Sequence, residues 1–478
     1  MVPASQDCLR DTSESKNTIK QKRIRFINTM KRILYLFTIF MALVACEDDD
    51  SFTASQGLRL EFGADTLKMD TVFSRTPSST YAFWVHNRND DGIRVSTVKL
   101  RRGNQSGYRV NVDGVYLDNS NGSQTGDVEI RRNDSILVFV ELTAVETRRK
   151  EPQLVEDDLL FLLESGAEQK VTLQAWAWDA MKLYDPVIDK DSVLESDTPL
   201  IIYGEMIVNE GATLTIRNTT LFFHDKSGLS VYGTLKTENC LMRGDRLDDM
   251  FSYLPYDRVS GQWNGVHLYG TSTGNRLAGT EIRNANYGLV CDSADIDMQR
   301  PRLRMEQCVV HNCAAKGVEA VNAFVSLDHC QLTNMGGDCL SIIGGVAEIS
   351  YCTLAQFYPF SADRGAALRF VNYQGQADLP LQLSCTGSIL TGYEDDVVMG
   401  DMRAESEAAF VYDFSDCLLR TPRVETDDSV HFADIIWETP KDSIQGKRHF
   451  VTIDEDNLIY DFHLDSLSTA KGKGCYDF

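Results

Sequence analysis

Three stretches of the chain decide its fold: Met305-Glu306-Gln307-Cys308-Val309, Leu327-Asp328-His329-Cys330-Gln331-Leu332 and Ile349-Ser350-Tyr351-Cys352-Thr353-Leu354. Their cysteines are each 22 residues apart. A fixed period just above 20 residues, with one apolar strand and one small polar turn per repeat, is typical of a solenoid. The stretches therefore predict stacked coils in which the cysteines share one inward-facing position.

The same pattern returns less regularly on both sides of these stretches, at residues 219–221, 238–241, 279–282, 386–390 and 415–418. Glycine-led runs at 288–290, 317–320 and 365–368 supply another strand per coil. We expect about ten coils over residues 198–470, which at ~4.8 Å per coil form a rod roughly 45–50 Å long. Residues 459–464 are interpreted as a last coil that shields the open edge of the solenoid.

Two other solenoids have repeats of related length. A leucine-rich repeat requires dense leucine and asparagine ladders, and a left-handed helix requires a hexapeptide period; we find none of these in the sequence. The runs Gly211-Ala212-Thr213-Leu214-Thr215-Ile216 and Gly261-Gln262-Trp263-Asn264-Gly265-Val266 resemble right-handed β-helix lipoproteins of the pectate-lyase-like architecture. The resemblance implies a right-handed parallel β-helix in a Bacteroidetes-type surface lipoprotein.

Residues 57–180 alternate apolar and polar side chains in short runs that turn clusters separate. This pattern predicts an antiparallel β-sandwich of about seven strands, so the fold class is all-β. The phrase Asp134-Ser135-Ile136-Leu137-Val138-Phe139-Val140 resembles the leading domain of Bacteroidetes lipoproteins with β-helix repeats. We expect this domain to act as a spacer and cap, followed by a linker at 181–197 and, after the helix, a tail at 471–478.

The N-terminus predicts secretion. Residues 33–45 are almost wholly apolar, follow Lys31-Arg32 and end in Leu43-Val44-Ala45-Cys46. Thirteen residues are too few to span a bilayer core of ~30 Å as a helix, so residues 1–45 are interpreted as a signal peptide. The last four residues resemble the bacterial lipobox, which implies lipidation of Cys46 and anchoring in the outer membrane. Residues 1–29 are polar and basic, and we hypothesise that Met30 is the true start.

An acidic run follows the lipidated cysteine. It comprises Glu47, Asp48, Asp49 and Asp50, within a tether that spans residues 46–56. The run resembles the surface-export signal of Bacteroidetes lipoproteins, which implies that the protein faces the cell exterior. The alternative is an ordinary solvated tether.

Composition narrows the range of partners. The chain of 478 residues is 43% hydrophobic and 24% charged, which indicates globular domains. Residues 1–45 carry eight Lys/Arg and three Asp/Glu, so removing them changes the net charge from −23 to −28. Such an acidic protein repels phosphate backbones, and we expect no nucleic-acid partner. The same negative charge disfavours binding of anionic polysaccharides unless calcium bridges them. We expect no cofactor other than such a calcium ion.

Ten of the twelve cysteines follow the lipobox. Secretion permits disulfides, but cysteines that share one inward position pack as small hydrophobes. We therefore expect them to be reduced, with disulfides as the alternative. Their spacing does not match structural zinc sites, so no metal site is predicted.

The insertion after Cys240 is the richest candidate surface because it combines carboxylates, arginines and aromatic rings. Aromatic faces stack on sugars, and carboxylates bind sugar hydroxyls or calcium. The candidate ligand-binding residues are Asp245, Arg246, Asp248, Asp249, Tyr253, Tyr256 and Trp263. Alternatively, the loop folds back and covers the rod. Asp338, in a segment that superficially resembles a polygalacturonase, stands alone, and no catalytic residue is predicted.

These observations favour a binding or adhesion module, for which glycans or a host surface are candidate ligands. The alternative is a polysaccharide lyase or glycoside hydrolase on the β-helix scaffold, and a structural envelope role is a third interpretation. Fold alone does not distinguish them.

Asp followed by Ser or Thr and then an apolar residue occurs more often than composition predicts. The triplet resembles the O-glycosylation site of exported Bacteroidetes proteins, although a turn that leads into a strand produces it without any sugar. The candidate acceptors, of which we expect only the exposed ones to be used, are Thr66, Thr71, Ser135, Ser192, Ser293, Ser429, Ser443 and Ser466.

Overall fold

The computed structural model describes residues 51–251 and 253–476. The predicted signal peptide, Cys46 and the acidic run 47–50 lie outside the described residues. The described chain is all-β, as predicted, and contains no α-helix. In this part of the chain, no helix has the length and apolar character that a membrane span requires. The short 3₁₀ turns are Gly103–Gln105, Asn119–Asn121, Tyr256–Arg258, Asp427–His431 and Gly446–His449.

The N-terminal domain contains two sheets whose inward side chains form one hydrophobic core. Alternating burial along the strands, as in Ile93–Leu100, places every second side chain in that core. The five-stranded sheet comprises Glu61–Phe62, Tyr81–His86, Ser135–Leu142, Tyr108–Val112 and Val115–Tyr116. The six-stranded sheet comprises Thr66–Phe73, Glu168–Trp178, Gln153–Leu163, Ile93–Leu100, Gln124–Thr125 and Val128–Ile130.

The rest of the chain is a parallel solenoid, which confirms that prediction from the 22-residue period. Each coil contributes strands to three ladders, which we call faces 1, 2 and 3. Face 1 comprises Val187–Ile188, Glu205–Val208, Gly228–Val231, Val266–Leu268, Leu289–Cys291, Val318–Asp328, Leu340–Ser350, Leu368–Val371 and Val398–Asp401. Face 2 comprises Ser192–Glu195, Thr213–Arg217, Thr234–Glu238, Asn275–Ala278, Leu303–Glu306, Leu381–Thr386, Phe410–Ser415 and Phe432–Ala433. It shares the long strands Val318–Asp328 and Leu340–Ser350 with face 1.

Face 3 is an eleven-stranded sheet. Its strands are Met181–Tyr184, Leu200–Tyr203, Thr220–Phe223, Leu241–Gly244, Glu281–Arg283, Val309–Cys313, Gln331–Met335, Thr353–Gln356, Ile389–Gly392, Leu418–Leu419 and Ile436–Trp437. The hairpins outside the ladders are Asp249–Phe251 with Leu254–Pro255, Tyr373–Gln374 with Ala377–Asp378, and Phe450–Asp454 with Ile459–Leu464.

The turn between faces 2 and 3 explains the cysteine period. A residue with φ between 47° and 57° opens the turn in successive coils: Asn218, Asn239, Gly279, Gln307, His329, Tyr351, Gly387 and Asp416. The next residue is small, buried and a donor to the carbonyl oxygen two positions earlier: Thr219, Cys240, Thr280, Cys308, Cys330, Cys352, Ser388 and Cys417. Thr, Cys and Ser are interchangeable here because each combines small size with a donor. The ten described cysteines are free thiols.

Two sequence-based expectations about the ends of the solenoid need correction. Met181–Tyr184 pairs with Leu200–Tyr203, so residues 181–197 form the first coil and not a linker. The parallel ladders end at Trp437, and Ile459–Leu464 pairs antiparallel with Phe450–Asp454 instead of forming a last coil. This hairpin packs on the outer side of face 3, where Phe462 contacts Phe357.

A short asparagine ladder is also present, although none was expected. Asn284, Asn312 and Asn334 are buried in successive coils, and each has a left-handed backbone. Asn312 Nδ2 donates to Asn284 Oδ1 at 2.8 Å. The Nδ2 groups of Asn284 and Asn312 also donate to the carbonyl oxygens of Asp257 and Arg258, whereas Asn334 Nδ2 is buried without a hydrogen-bond partner.

Candidate functional site

The candidate insertion leaves the solenoid after Leu241–Gly244 and returns at Val266–Leu268. Part of it is fixed between the two domains. Arg246 Nη2 lies 2.6 Å from Asp248 Oδ2, which also accepts a hydrogen bond from Ser79 of the N-terminal domain. The Arg246 guanidinium lies 4.0 Å from the centroid of the Tyr256 ring. The three predicted ligand-binding residues Arg246, Asp248 and Tyr256 are therefore occupied by contacts within the protein.

The electrostatics of this clamp follow from the same contacts. Burial disfavours the Asp248 carboxylate, but hydrogen bonds from Arg246 and Ser79 outweigh burial and hold the pKa of Asp248 below its ordinary value. The neighbouring Asp249 has few such donors, and burial together with the Asp70 carboxylate raises its pKa. The backbone N–H of Asp249 donates to Asp70 Oδ2 at 3.0 Å, which adds a second link between the domains.

The two remaining aromatic candidates have opposite environments. Tyr253 is 78% exposed and stacks on Phe251 at the tip of the insertion. Trp263 is 1% exposed, stacks on Phe223 with centroids 4.2 Å apart, and donates from Nε1 to the carbonyl oxygen of Arg283. Trp263 therefore belongs to the solenoid core, and its assignment to a ligand-binding surface is wrong. Burial of its large apolar ring in the core is favourable because it removes apolar surface from water.

Asp245, the last candidate of the insertion, lines a cavity of about 300 Å³ between the N-terminal domain and face 3. Asp245 Oδ2 lies 2.7 Å from Nδ1 of His224, which occupies the equivalent position one coil earlier. Burial raises the pKa of the Asp245 carboxyl, and the contact with His224 opposes this effect. His224 was not predicted from the sequence, although both His224 and Asp245 follow directly after a strand of face 3.

A larger groove, of about 500 Å³, lies on the outside of face 1. One side is an aromatic stack, in which the Tyr269 ring lies 4.2 Å from Tyr232 and 3.9 Å from His267, centroid to centroid. Tyr287 also lines the groove, with 39% of its surface exposed. Asn264 and Asn286, both exposed, supply amide groups to the same groove.

The charged residues in the groove are partnered. Ser230 Oγ donates to Glu205 Oε1 at 2.6 Å, and His267 Nε2 lies 2.9 Å from Asp292 Oδ1, in a geometry too bent for a hydrogen bond. The floor depends on Gly265, whose φ of 101° and position against the carbonyl oxygen of Tyr287 leave no room for a side chain. This groove was not predictable from sequence motifs because its residues come from separate coils.

A third cleft, of about 410 Å³, lies between the insertion, face 3 and the C-terminal hairpin. Arg283 contacts two carboxylates there: its Nη1 lies 3.4 Å from Asp257 Oδ1, and its Nη2 binds Glu281. Burial, aided by the positive charge of Arg283, lowers the pKa of His311 to about 3, so this imidazole is neutral. Elsewhere, Asp338 is buried and accepts hydrogen bonds from the Ala366 N–H and Arg369, a structural arrangement.

Among residues 51–251 and 253–476, no group of three or more His, Cys, Asp or Glu side chains is arranged to hold a metal ion. Of the candidate O-glycosylation acceptors, the half-buried ones are Thr66, Thr71, Ser135 and Ser192, and the exposed ones are Ser293, Ser429, Ser443 and Ser466. The exposed set stays a prediction.

Comparison with known proteins gives no family. No family model and no curated protein matches the chain. Among solved structures, the catalytic unit of a thermostable GH87 alpha-1,3-glucanase from Streptomyces thermodiastaticus strain HF3-3 is similar at 10% identity and a TM-score of 0.31, covering 74% of this chain and 76% of that one. A family 123 glycoside hydrolase from Clostridium perfringens is similar over 29% of this chain and only 30% of its own length, at 7% identity and a TM-score of 0.18. Likeness at these TM-scores carries no conclusion about activity.

Proposed function

We propose that this protein binds a glycan in the groove on face 1. The observation that carries the proposal is a groove lined by the partly exposed Tyr287, by the stack of Tyr232, Tyr269 and His267, and by the amides of Asn264 and Asn286. Sugar rings present apolar C–H faces that pack on aromatic rings, and their hydroxyls pair with amides and carboxylates. A concave site with these two kinds of groups suits an oligosaccharide better than a purely apolar ligand.

The charges of the groove favour a neutral glycan. Ser230 Oγ donates to Glu205, and His267 lies beside Asp292. The residues that line the groove therefore leave no unpaired cation that would select an anionic sugar. The net charge of −28 after removal of residues 1–45 also repels polyanions at long range. We therefore expect neutral hexose polymers, without calcium, among the strongest ligands.

A glycan-array screen of the chain that begins at residue 46, followed by titration calorimetry on the best ligand, tests this proposal. Tyr287→Ala should raise the Kd about 10-fold or more, the usual effect of removing an aromatic anchor. Tyr253→Ala is the control, because it removes a more exposed tyrosine that lies outside the groove. Equal affinities for both variants and the unmodified protein would refute the assignment to the groove.

Glycan cleavage, at a site separate from the groove on face 1, is a second candidate function, favoured by one observation. Asp257 and Glu281 contact the same guanidinium group in the cleft beside the C-terminal hairpin, and glycoside hydrolysis uses two carboxylates about 5–9.5 Å apart. Release of new reducing ends from the array ligand, abolished by Glu281→Gln but not by Tyr253→Ala, would establish cleavage. Recovery of intact ligand after prolonged incubation would rule out cleavage and leave binding as the function.

We further infer that the protein is a surface-exposed outer-membrane lipoprotein anchored through Cys46, with a right-handed helix. The apolar run 33–45 before the cysteine and the acidic run after it support this inference. In this arrangement, the two packed sheets of the N-terminal domain act as a β-sandwich spacer that holds the solenoid away from the membrane.

A further inference from the structure

The cavity between the domains contains a histidine that a buried carboxylate orients. Asp245 Oδ2 contacts His224 Nδ1 at 2.7 Å, and the Asp245 side chain is 12% exposed, whereas that of His224 is 49% exposed. The contact fixes the imidazole so that Nδ1 carries the proton and faces the carboxylate. Nε2 is left as the basic nitrogen, and among the described residues it has no hydrogen-bond partner.

A phenol and an ammonium group lie beside the imidazole. The Tyr203 ring lies 4.7 Å from the His224 ring, and Lys182 Nζ lies 6.0 Å from the centroid of the same Tyr203 ring. Lys182 Nζ donates to Thr76 Oγ1 at 2.9 Å and to the carbonyl oxygen of Arg75 at 3.3 Å. An ammonium group has three N–H donors, and among the described residues the third has no partner beside Thr76 and Tyr203, which line the cavity.

The other charged groups in this cavity cancel one another. Arg246 and Asp248 form an ion pair, so neither competes for His224. Burial lowers the pKa of Lys182, and the carboxylate of Asp245 opposes that effect. Burial has the opposite effect on the phenol of Tyr203 and raises its pKa. Perturbed acids and bases that converge in one cleft are typical of catalytic centres.

We propose that this cavity hydrolyses small acyl esters, with His224 as the general base and Asp245 as its positioning residue. His224 Nε2 takes a proton from water as the water oxygen bonds to the ester carbonyl carbon. The carbonyl oxygen gains the negative charge and receives a hydrogen bond from Lys182. When the ester C–O bond breaks, the leaving alkoxide takes the proton back from His224, so the products are a carboxylic acid and an alcohol. The inference does not depend on glycan binding at face 1.

The chain supplies its own matched control. His463 Nδ1 contacts Asp461 Oδ1 at 2.6 Å, which repeats the histidine–aspartate pair on the exposed C-terminal hairpin, but Lys182 is not part of that site. Any imidazole slowly hydrolyses activated esters, and this second pair measures that background reaction. A difference in hydrolysis rate between variants of the two pairs therefore measures the contribution of the cavity.

Hydrolysis of p-nitrophenyl acetate by the chain that begins at residue 46 tests the proposal. His224→Gln should lower kcat/KM by about 100-fold or more, and His463→Gln should leave it unchanged. Lys182→Met should lower kcat more than it raises KM, because its hydrogen bond strengthens as charge develops. Equal rates for the two histidine variants, with circular dichroism showing both folded, would overturn the proposal.

Discussion

Replacement of Trp263 by Ala separates the core role of this residue from the surface role that the sequence suggested. Trp263 is 1% exposed, its ring stacks on Phe223, and its Nε1–H donates to the carbonyl oxygen of Arg283 at 3.0 Å. Truncating a buried tryptophan costs about 3–5 kcal/mol, and the carbonyl left without a partner adds about 1 kcal/mol. The free energy of unfolding should therefore fall by roughly 4–6 kcal/mol.

Thermal unfolding followed by far-ultraviolet circular dichroism measures this change. At about 2 °C per kcal/mol for a domain of this size, the midpoint should fall by roughly 8–12 °C. Tyr253→Ala, at an exposed site of the same insertion, should change the free energy of unfolding by no more than about 0.5 kcal/mol. An unchanged midpoint for Trp263→Ala would refute the core assignment.

The remaining predictions concern a buried ion pair, the lipid anchor, the export signal and glycosylation. Burial disfavours the Glu438 carboxylate, but hydrogen bonds from His449, Arg420 and Thr391 outweigh burial and lower its pKa. The ion pair of Glu438 with Arg420 therefore stabilises the fold fully above the unfolded-state pKa of ~4.3, and this stabilisation is lost as pH falls through the lower folded-state pKa. Glu438→Gln should cost about 3–5 kcal/mol at neutral pH because the buried Arg420 then keeps only the exposed Asp395 as a charged partner. Urea unfolding at several pH values should show the difference shrinking in acid, and a constant difference would contradict this. Cys46→Ala should release the protein from the membrane fraction, and its retention would count against lipidation. Replacing the acidic run Asp48, Asp49 and Asp50 together should leave the protein lipidated but protected from added protease on intact cells; unchanged digestion would defeat the export reading. Intact-mass analysis of cell-derived protein should show sugar on the exposed serines, and a mass equal to polypeptide plus lipid would end that idea.

The repetitive part of the fold was predictable because every coil repeats one physical requirement. The left-handed turn before Cys308, Cys330 and Cys352 needs a small buried donor at the next position, and that requirement produces the 22-residue spacing. The ends were not predictable from this signal. The first coil at Met181–Glu195 has exposed edge residues such as Tyr184 and lacks the cysteine turn, so its composition is that of a linker.

The candidate sites were harder to predict, because their residues converge across coils. Tyr232 and Tyr269 each lie four residues after a glycine that begins a face 1 strand, Gly228 and Gly265, but the insertion separates the two coils in the sequence. Aligning the coils on these glycines would have placed both rings in one column. The insertion attracted attention for its charges, yet Arg246 and Asp248 use those charges to join the two domains.

The crystal structure of the protein with the best oligosaccharide from the array tests the central claim most directly. Glycan binding at face 1 predicts a sugar ring packed against the ring of Tyr287, with hydroxyl groups bonded to Asn264 or Asn286. An oligosaccharide seated in the interdomain cavity or the C-terminal cleft, with the face 1 groove empty, would contradict it.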